Sequence, residues 1–139
     1  MLYPIAIEKG DDNTSFGVIV PDLPGCFSAG DSFEEALINA KQAIELHLEG
    51  LAELGELPPL ATSIDNHFNN SEYADWVWAL SEVDIEPYLG KASKINVTLP
   101  NLLTKHIDDL IKDSDKYQNR SQFLQIAARH EYEKAIAAS

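Results

Sequence analysis

Short, mainly apolar segments near the start of the chain are separated by turn-forming residues, which is typical of β-strands. This pattern predicts strands over Leu2 to Glu8, Phe16 to Val20 and Phe27 to Ala29, and a fourth strand within Tyr73 to Ile85. Residues 21–26 include two prolines and a glycine and predict a rigid loop, because proline cannot donate a hydrogen bond within a central strand.

A long helix is predicted between the third and fourth strands. Ser32 and Glu35 have the spacing of a capping box, in which the serine side chain accepts a hydrogen bond from the first helical turn. We expect this helix to run to about Leu54 and to end at Gly55. Its apolar stripe consists of Ala36, Leu37, Ala40, Ala43, Ile44, His47, Leu48 and Leu51. One sheet covered by one helix is an α+β arrangement.

A separate pattern begins at Lys94, after a predicted linker at about 86–92. The segment 94–100, with the sequence KINVTLP, predicts a short strand ending at Pro100, which is suited to the first turn of a helix. Its apolar face consists of Ile95, Val97 and Leu99, and its polar face of Lys94, Asn96 and Thr98. Two helices are predicted next, separated by the polar stretch 113–119. Their apolar residues are Leu103, Ile107, Leu110 and Ile111, then Phe123, Leu124, Ala127, Ala128 and Ile136.

A strand and two helices in about 45 residues are too little chain to form a core alone. The single cysteine, Cys26, cannot form an internal disulfide, and the histidines lack metal-ligand spacing. We therefore expect a symmetric dimer, in which two copies of the strand pair and four helices cover their apolar face. Lys94, Asn96 and Thr98 then point outward from a two-stranded ribbon, where such side chains can read base edges in the major groove of DNA.

Residues 92–133 resemble a ribbon-helix-helix DNA-binding domain. The resemblance is carried by the KINVTLP strand, the Ile-Asp-Asp-Leu of 107–110 and the Asn-Arg-Ser-Gln-Phe-Leu of 119–124. It implies that Asn119, Arg120 and Ser121 contact a DNA phosphate at the start of the second helix, where backbone N–H groups are free. A purely structural role remains open, because Asn119 and Ser121 also suit N-capping.

The net charge of −13 is unevenly distributed. Residues 1–90 have two basic against 17 acidic side chains, a net charge of −15, whereas residues 91–139 have eight against six, a net charge of +2. DNA would repel the first part and attract the second. The acidic part serves either solubility or a basic protein partner.

Residues 2–60 resemble the HicB antitoxin family. The similarity lies in Tyr3-Pro4, the loop 20–26, the segment 30–36 and Pro58-Pro59, and with the tail it extends over nearly the whole chain. It implies a degenerate ribonuclease H-like sheet-plus-helix domain over 1–90 that has lost its activity and binds HicA, a small basic toxin that cleaves mRNA. The tail, 91–139, would then be the ribbon-helix-helix dimerisation and DNA-binding domain.

The resemblance implies the antitoxin of a type II toxin–antitoxin system that neutralises a HicA-like toxin and represses its own operon as a homodimer or a tetramer on operator DNA. We expect the toxin contacts at Asp22, Leu23, Pro24, Asp31, Glu34 and Glu35. A structural role is equally open for them, since Pro24 can simply turn the chain and Glu34 and Glu35 can favour the helix dipole.

The sequence leaves two alternatives to an antitoxin to consider. A solitary repressor with a ligand-sensing first domain remains open, although no ligand motif supports it. A metal-dependent hydrolase is disfavoured because it needs several converging carboxylates, and only Glu8 and Glu45 are suitably placed. We therefore expect no enzyme activity, metal or cofactor. No apolar run approaches the length of a membrane span and no export signal is apparent, which predicts a cytoplasmic protein.

Overall fold

The structure is a computed structural model that describes residues 1–138. It contains two compact units whose boundary lies between Ala92 and Ser93. This boundary falls at the end of the expected linker, which includes a short 3-10 turn at Glu86–Tyr88.

The first unit is a mixed α+β fold with one four-stranded antiparallel sheet. The strand order is β3-β2-β1-β4, so that β1 is central and β3 and β4 are the two edges. The elements are β1 (Leu2–Glu8), β2 (Phe16–Ile19), β3 (Phe27–Gly30), α1 (Phe33–Glu53) and β4 (Val77–Glu82). The order and type of these elements were predicted from the short apolar segments and from the capping box and apolar stripe of the helix, and they are confirmed.

The ends of α1 follow from its sequence. The Ser32 hydroxyl accepts a hydrogen bond from the Glu35 backbone N–H at 3.1 Å, as the capping-box spacing predicted. The helix ends at Leu54, and Gly55 follows with a positive φ of 76° that glycine adopts without steric cost. The buried residues of the helix are Ala36, Ala40, Ile44 and Leu48. The prediction of Leu37 in the buried stripe is wrong: the residue is 39% exposed because it lies at the edge of that stripe.

The core lies between α1 and one face of the sheet. Tyr3, Ile5 and Ile7 of β1 contribute to it and are at most 1% exposed. The close fit requires a glycine at the end of β3, since a Cβ on Gly30 would lie 2.4 Å from the backbone nitrogen of Ala36. The absence of a side chain at Gly30 therefore lets α1 approach the sheet closely.

The segment 58–76 leads from α1 to β4 and packs against the sheet on the way. The Tyr3 hydroxyl donates a hydrogen bond to the Pro59 carbonyl at 2.7 Å. Further on, the His67 ring stacks on Trp78 with ring centroids 5.4 Å apart. Short 3-10 turns occupy Ile64–Asn66 and Ser71–Tyr73 within this segment. Each turn is capped by a side chain, Ser63 or Asn70.

The second unit consists of two helices, α2 (Asn101–Lys112) and α3 (Arg120–Ala137), preceded by residues 93–100. Pro100 was expected in the first turn of α2, but it is the N-cap, one position before the helix begins at Asn101. Residues 91–100 form neither helix nor strand in the single chain. The predicted strand requires a second copy, so its pairing stays a prediction.

Candidate functional site

The segment 94–100, which is predicted to form a ribbon in a dimer, is open to solvent in the single chain. Lys94, Asn96 and Thr98 are exposed, in agreement with a role at the surface. The apolar side chains of the same segment are exposed as well, Ile95 by 79% and Val97 by 61%. An uncovered apolar face of this kind costs free energy in water, which favours a partner that covers it.

The three predicted phosphate contacts lie together at the start of α3, and all three are exposed. Asn119 caps the helix, since its side-chain Oδ1 accepts a hydrogen bond from the Gln122 N–H at 2.8 Å. The Ser121 hydroxyl accepts one from the Gln125 side chain at 3.2 Å. The capping role is therefore present without DNA, and N–H groups of the first turn remain available to an anion.

Arg120 forms an ion pair within the chain, which the sequence did not indicate. Its Nε and Nη2 donate to the two carboxylate oxygens of Asp108, at 3.0 Å and 2.6 Å. The hydrogen bond with Arg120 lowers the pKa of Asp108, and the same bond raises the pKa of Arg120. Both side chains are partly exposed, 53% for Arg120 and 38% for Asp108.

The loop 20–26 turns inward, and this corrects one predicted toxin contact. The Leu23 N–H donates to the Val20 carbonyl and the Cys26 N–H to the Leu23 carbonyl, each at 3.0 Å. These two turns place the Leu23 side chain in the core with no exposed surface. Leu23 therefore cannot contact a toxin in this conformation, and its contribution is to packing.

Asp22 is also engaged within the protein. Its carboxylate accepts hydrogen bonds from the Thr62 backbone N–H at 2.7 Å and from the Thr62 hydroxyl at 2.9 Å. The His67 Nε2 lies 2.9 Å from that hydroxyl and 3.7 Å from the carboxylate. Since the Asp22 side chain is only 8% exposed, it serves mainly to attach the segment 58–76 to the loop 20–26.

The other four predicted toxin contacts are exposed. Pro24 lies at the tip of the loop 20–26, and Asp31, Glu34 and Glu35 lie at the beginning of α1. Acidic side chains at this end also stabilise the helix dipole. Their exposure fits either role, and the contact with a toxin stays a prediction.

A second acidic region, which the sequence analysis missed, lies between α1 and the edge strand β4. It is an open groove of about 600 Å³. Its lining consists of Leu37, Ile38, Lys41, Gln42, Glu45, Leu80, Ser81 and Glu82. The two adjacent apolar residues Leu37 and Ile38 at the edge of the helix stripe are the sequence signal that could have indicated it.

Negative charges near this groove contribute to a raised pKa of a neighbouring tyrosine, Tyr88. Burial raises the pKa of Tyr88, and the charges of Glu45, Glu49 and Asp84 raise it further. The region therefore disfavours additional negative charge and attracts cationic groups.

The single cysteine, Cys26, is buried. Burial raises the pKa of the Cys26 thiol, which opposes formation of a nucleophilic thiolate. Among residues 1–138, no group of His, Cys, Asp and Glu has the arrangement of a metal site.

No helix within residues 1–138 combines the length and apolar character needed to cross a membrane.

Solved structures similar to this chain include two antitoxins. The antitoxin HicB of Burkholderia pseudomallei is 39% identical with a TM-score of 0.72, and the match covers 92% of this chain and 96% of that chain. Antitoxin HicB3 is 33% identical with a TM-score of 0.77, over 94% of this chain and 97% of that chain. A chain of the HicA3 and HicB3 toxin–antitoxin complex is 30% identical with a TM-score of 0.52, over 60% of this chain and 99% of that chain.

A protein relative of nearly the same length is 48% identical over 124 residues, which is 89% of this chain and 92% of the relative. It is an uncharacterized 14.9 kDa protein from the rep-hol intergenic region of Haemophilus phage HP1. Residues 3–128 match the family described as the HicB-like antitoxin of bacterial toxin–antitoxin systems. This match, together with the two antitoxin structures, shows that the chain belongs to the HicB-like antitoxin family.

Proposed function

We propose that this protein neutralises a HicA-like, mRNA-cleaving toxin by direct binding and represses its own operon through its C-terminal unit. The proposal is carried by one observation: the change in charge along the chain coincides with a structural boundary. Residues 1–90 have a net charge of −15 and residues 91–139 of +2, and the two compact units meet between Ala92 and Ser93. Each unit thus has the charge that suits a different partner.

The toxin is assigned to the acidic unit. A similar chain occurs in a complex of HicA3 with HicB3, which supports a HicA-like partner here. A toxin that binds RNA needs a basic surface, and an acidic partner accelerates encounter with it and excludes acidic competitors. The proposed contacts are Pro24, Asp31, Glu34 and Glu35, which are exposed. Asp22 acts indirectly, by holding the loop that bears Pro24.

The DNA is assigned to the second unit. Two copies of the segment 94–99 would pair as a ribbon, cover Ile95 and Val97 on one side and present Lys94, Asn96 and Thr98 to base edges on the other. Asn119, Arg120 and Ser121 would contact a phosphate at the beginning of α3. Arg120 remains able to do so, because a guanidinium has five N–H donors and the bonds to Asp108 use two.

Pairing of the same ribbon would give dimers, or tetramers made of two such dimers. Since operator DNA and an mRNA-cleaving toxin are the proposed partners, we propose a cytoplasmic location. The ribonuclease H-like ancestry of the first unit belongs to this proposal too. It is supported by one sheet with a helix on one face, and family membership supports a protein without enzyme activity.

The test is co-expression of tagged full-length protein with the small reading frame beside its gene. We expect a stoichiometric complex, relief of the growth arrest that the neighbour causes alone, and retardation of the operon's upstream DNA by the antitoxin. The double variant Glu34→Lys, Glu35→Lys should weaken toxin binding, while Asp11→Lys, Asp12→Lys on the β1–β2 turn makes the same change in net charge as a control. A wild-type protein that binds neither partner would disprove the proposal.

A further inference from the structure

The strand β4 leaves one row of backbone hydrogen-bonding groups without partners. Met1 and Val83 exchange both backbone hydrogen bonds, at 2.8 Å and 2.9 Å, at the end of the β1–β4 ladder. Hydrogen-bonded and non-hydrogen-bonded pairs alternate along an antiparallel ladder. The pairs Leu2–Glu82 and Pro4–Leu80 are therefore the non-hydrogen-bonded ones, which agrees with the missing N–H of proline.

It follows that the N–H and C=O groups of Leu80 and Glu82 point away from β1. Since β4 is the last strand of the sheet, they point out of the sheet altogether. Neither residue forms another backbone or side-chain hydrogen bond within residues 1–138. Rows of unpaired groups of this kind bind additional strands.

The opposite edge of the sheet, β3, differs because one of its outward backbone groups already has a partner. The Val20 N–H donates to the Cys26 carbonyl, so the same alternation makes Phe27 and Ala29 the outward-facing residues of β3. The outward carbonyl of Ala29 already accepts a hydrogen bond from the Asn39 side chain at 2.8 Å. The helix thus occupies one outward group of β3 and none of those of Leu80 and Glu82.

The groove beside β4 has the side chains that an added strand would require. Leu80 is 46% exposed, and across the groove Leu37 and Ile38 of α1 are 39% and 61% exposed. Leu37 and Ile38 therefore form an apolar strip on the helix side of the open edge, whereas the Leu80 side chain, which is paired with Pro4, lies on the other face of the sheet. In a sheet, alternate side chains of an added strand fall on one face and can occupy such a strip.

The charges around the groove select the partner. Glu45 and Glu82 line the groove, Asp84 follows just beyond β4, and Lys41 is the only basic side chain among the lining residues. A second copy of this acidic unit would bring like charges together across the edge, which is unfavourable. A basic segment would instead compensate these carboxylates.

We propose that β4 is the docking edge for the toxin: an extended, basic segment of the HicA-like protein pairs with β4 as a fifth strand of the sheet. This inference rests on the proposed function and adds to it a backbone-mediated contact, separate from the acidic start of α1. The pairing uses the outward groups of Leu80 and Glu82, and apolar side chains of the incoming strand pack on Leu37 and Ile38.

Proline substitution tests the pairing directly. Leu80→Pro removes an N–H that faces away from β1, so it leaves the β1–β4 ladder intact while blocking a new strand. Leu80→Ala removes the same side chain but retains the N–H, and serves as the matched control. With the tagged neighbouring gene product as probe, we expect Leu80→Pro to bind at least about tenfold more weakly than Leu80→Ala. Equal affinity of two folded variants would overturn the inference.

Amide hydrogen exchange on the wild-type full-length protein provides a second test that needs no substitution. The amides of Leu80 and Glu82 should exchange rapidly in the free protein and become protected in the complex, whereas that of Phe27 on the other edge should not. A complex in which Leu80 and Glu82 stay unprotected would overturn the docking edge but leave the antitoxin function standing. Protection in the free protein that grows with concentration would assign the edge to a second copy and also overturn it. Absence of any wild-type complex would instead contradict the proposed function itself.

Discussion

Arg120 and Asp108 form a two-point ion pair that joins the first residue of α3 to the middle of α2, with N–O distances of 3.0 Å and 2.6 Å. Within residues 93–138, Ile107 is the only buried apolar side chain. The planar fork of the guanidinium fixes direction as well as distance, which a small hydrophobic contact does not do. We infer that this pair sets the relative orientation of the two helices in the single chain.

The first prediction concerns acid stability. Because the hydrogen bond from Arg120 lowers the pKa of Asp108, the folded chain keeps this carboxylate charged at pH values where the unfolded chain binds a proton. Its stabilisation is therefore complete above the unfolded pKa, about 4, and is lost as the pH falls through the lowered folded pKa. Asp108→Asn should be less stable than wild type near neutral pH, and this difference should vanish in acid.

The measurement is urea unfolding followed by circular dichroism over a series of pH values. Asp109→Asn is the control, because Asp109 is the neighbouring residue and forms no salt bridge within residues 1–138. If Asp108→Asn and Asp109→Asn showed the same pH dependence, the ion pair would have no role in stability.

The second prediction concerns DNA. Lys94→Ala should weaken binding to the upstream operator without changing dimerisation, because the side chain is exposed and belongs to the polar face of the ribbon. The loss should be about tenfold, equivalent to about 1–2 kcal/mol. Fluorescence anisotropy at several salt concentrations measures it, with Lys91→Ala as a control of equal charge outside the ribbon. Equal losses for Lys91→Ala and Lys94→Ala would indicate a nonspecific effect of charge.

The third prediction concerns the dimer. Val97→Asp should abolish it, since the substitution places a charge in the apolar face that the two ribbons share. Thr98→Asp adds the same charge one residue along the segment, on the opposite face, and should leave the dimer intact. Sedimentation velocity distinguishes the two results. A stable dimer for Val97→Asp and a monomer for Thr98→Asp would mean that the faces are inverted.

The fourth prediction concerns Asp22. Asp22→Ala leaves the Thr62 N–H without its acceptor and should lower the free energy of unfolding by about 1–3 kcal/mol. Loosening of the segment 58–76 should expose Trp78, on which His67 stacks, and shift its fluorescence to longer wavelength. Asp12→Ala, on an exposed turn, is the control. Unchanged stability and unchanged fluorescence in Asp22→Ala would show that the carboxylate does not hold this segment.

Local sequence was sufficient for the helices and for the four strands of the sheet. The apolar run of β1 and the positions of Ser32 and Gly55 around α1 depend on interactions within a few residues, and the structure agrees with them. The change from acidic to basic charge lies close to the boundary between the two compact units at Ala92, and the division into a toxin-binding and a DNA-binding domain stays a prediction. Neither inference required knowledge of distant contacts.

The tertiary structure decided which surface residues are available to a partner. Leu23 was expected at the surface but is buried because its loop turns inward, and Asp22 is occupied by Thr62, which is 40 residues away. Arg120 has its partner 12 residues earlier in the chain. The open edge at Leu80 follows from the order of the strands and from the hydrogen-bond register with β1. Such pairings join residues distant in sequence, and a local pattern of apolar and polar residues contains no information about them.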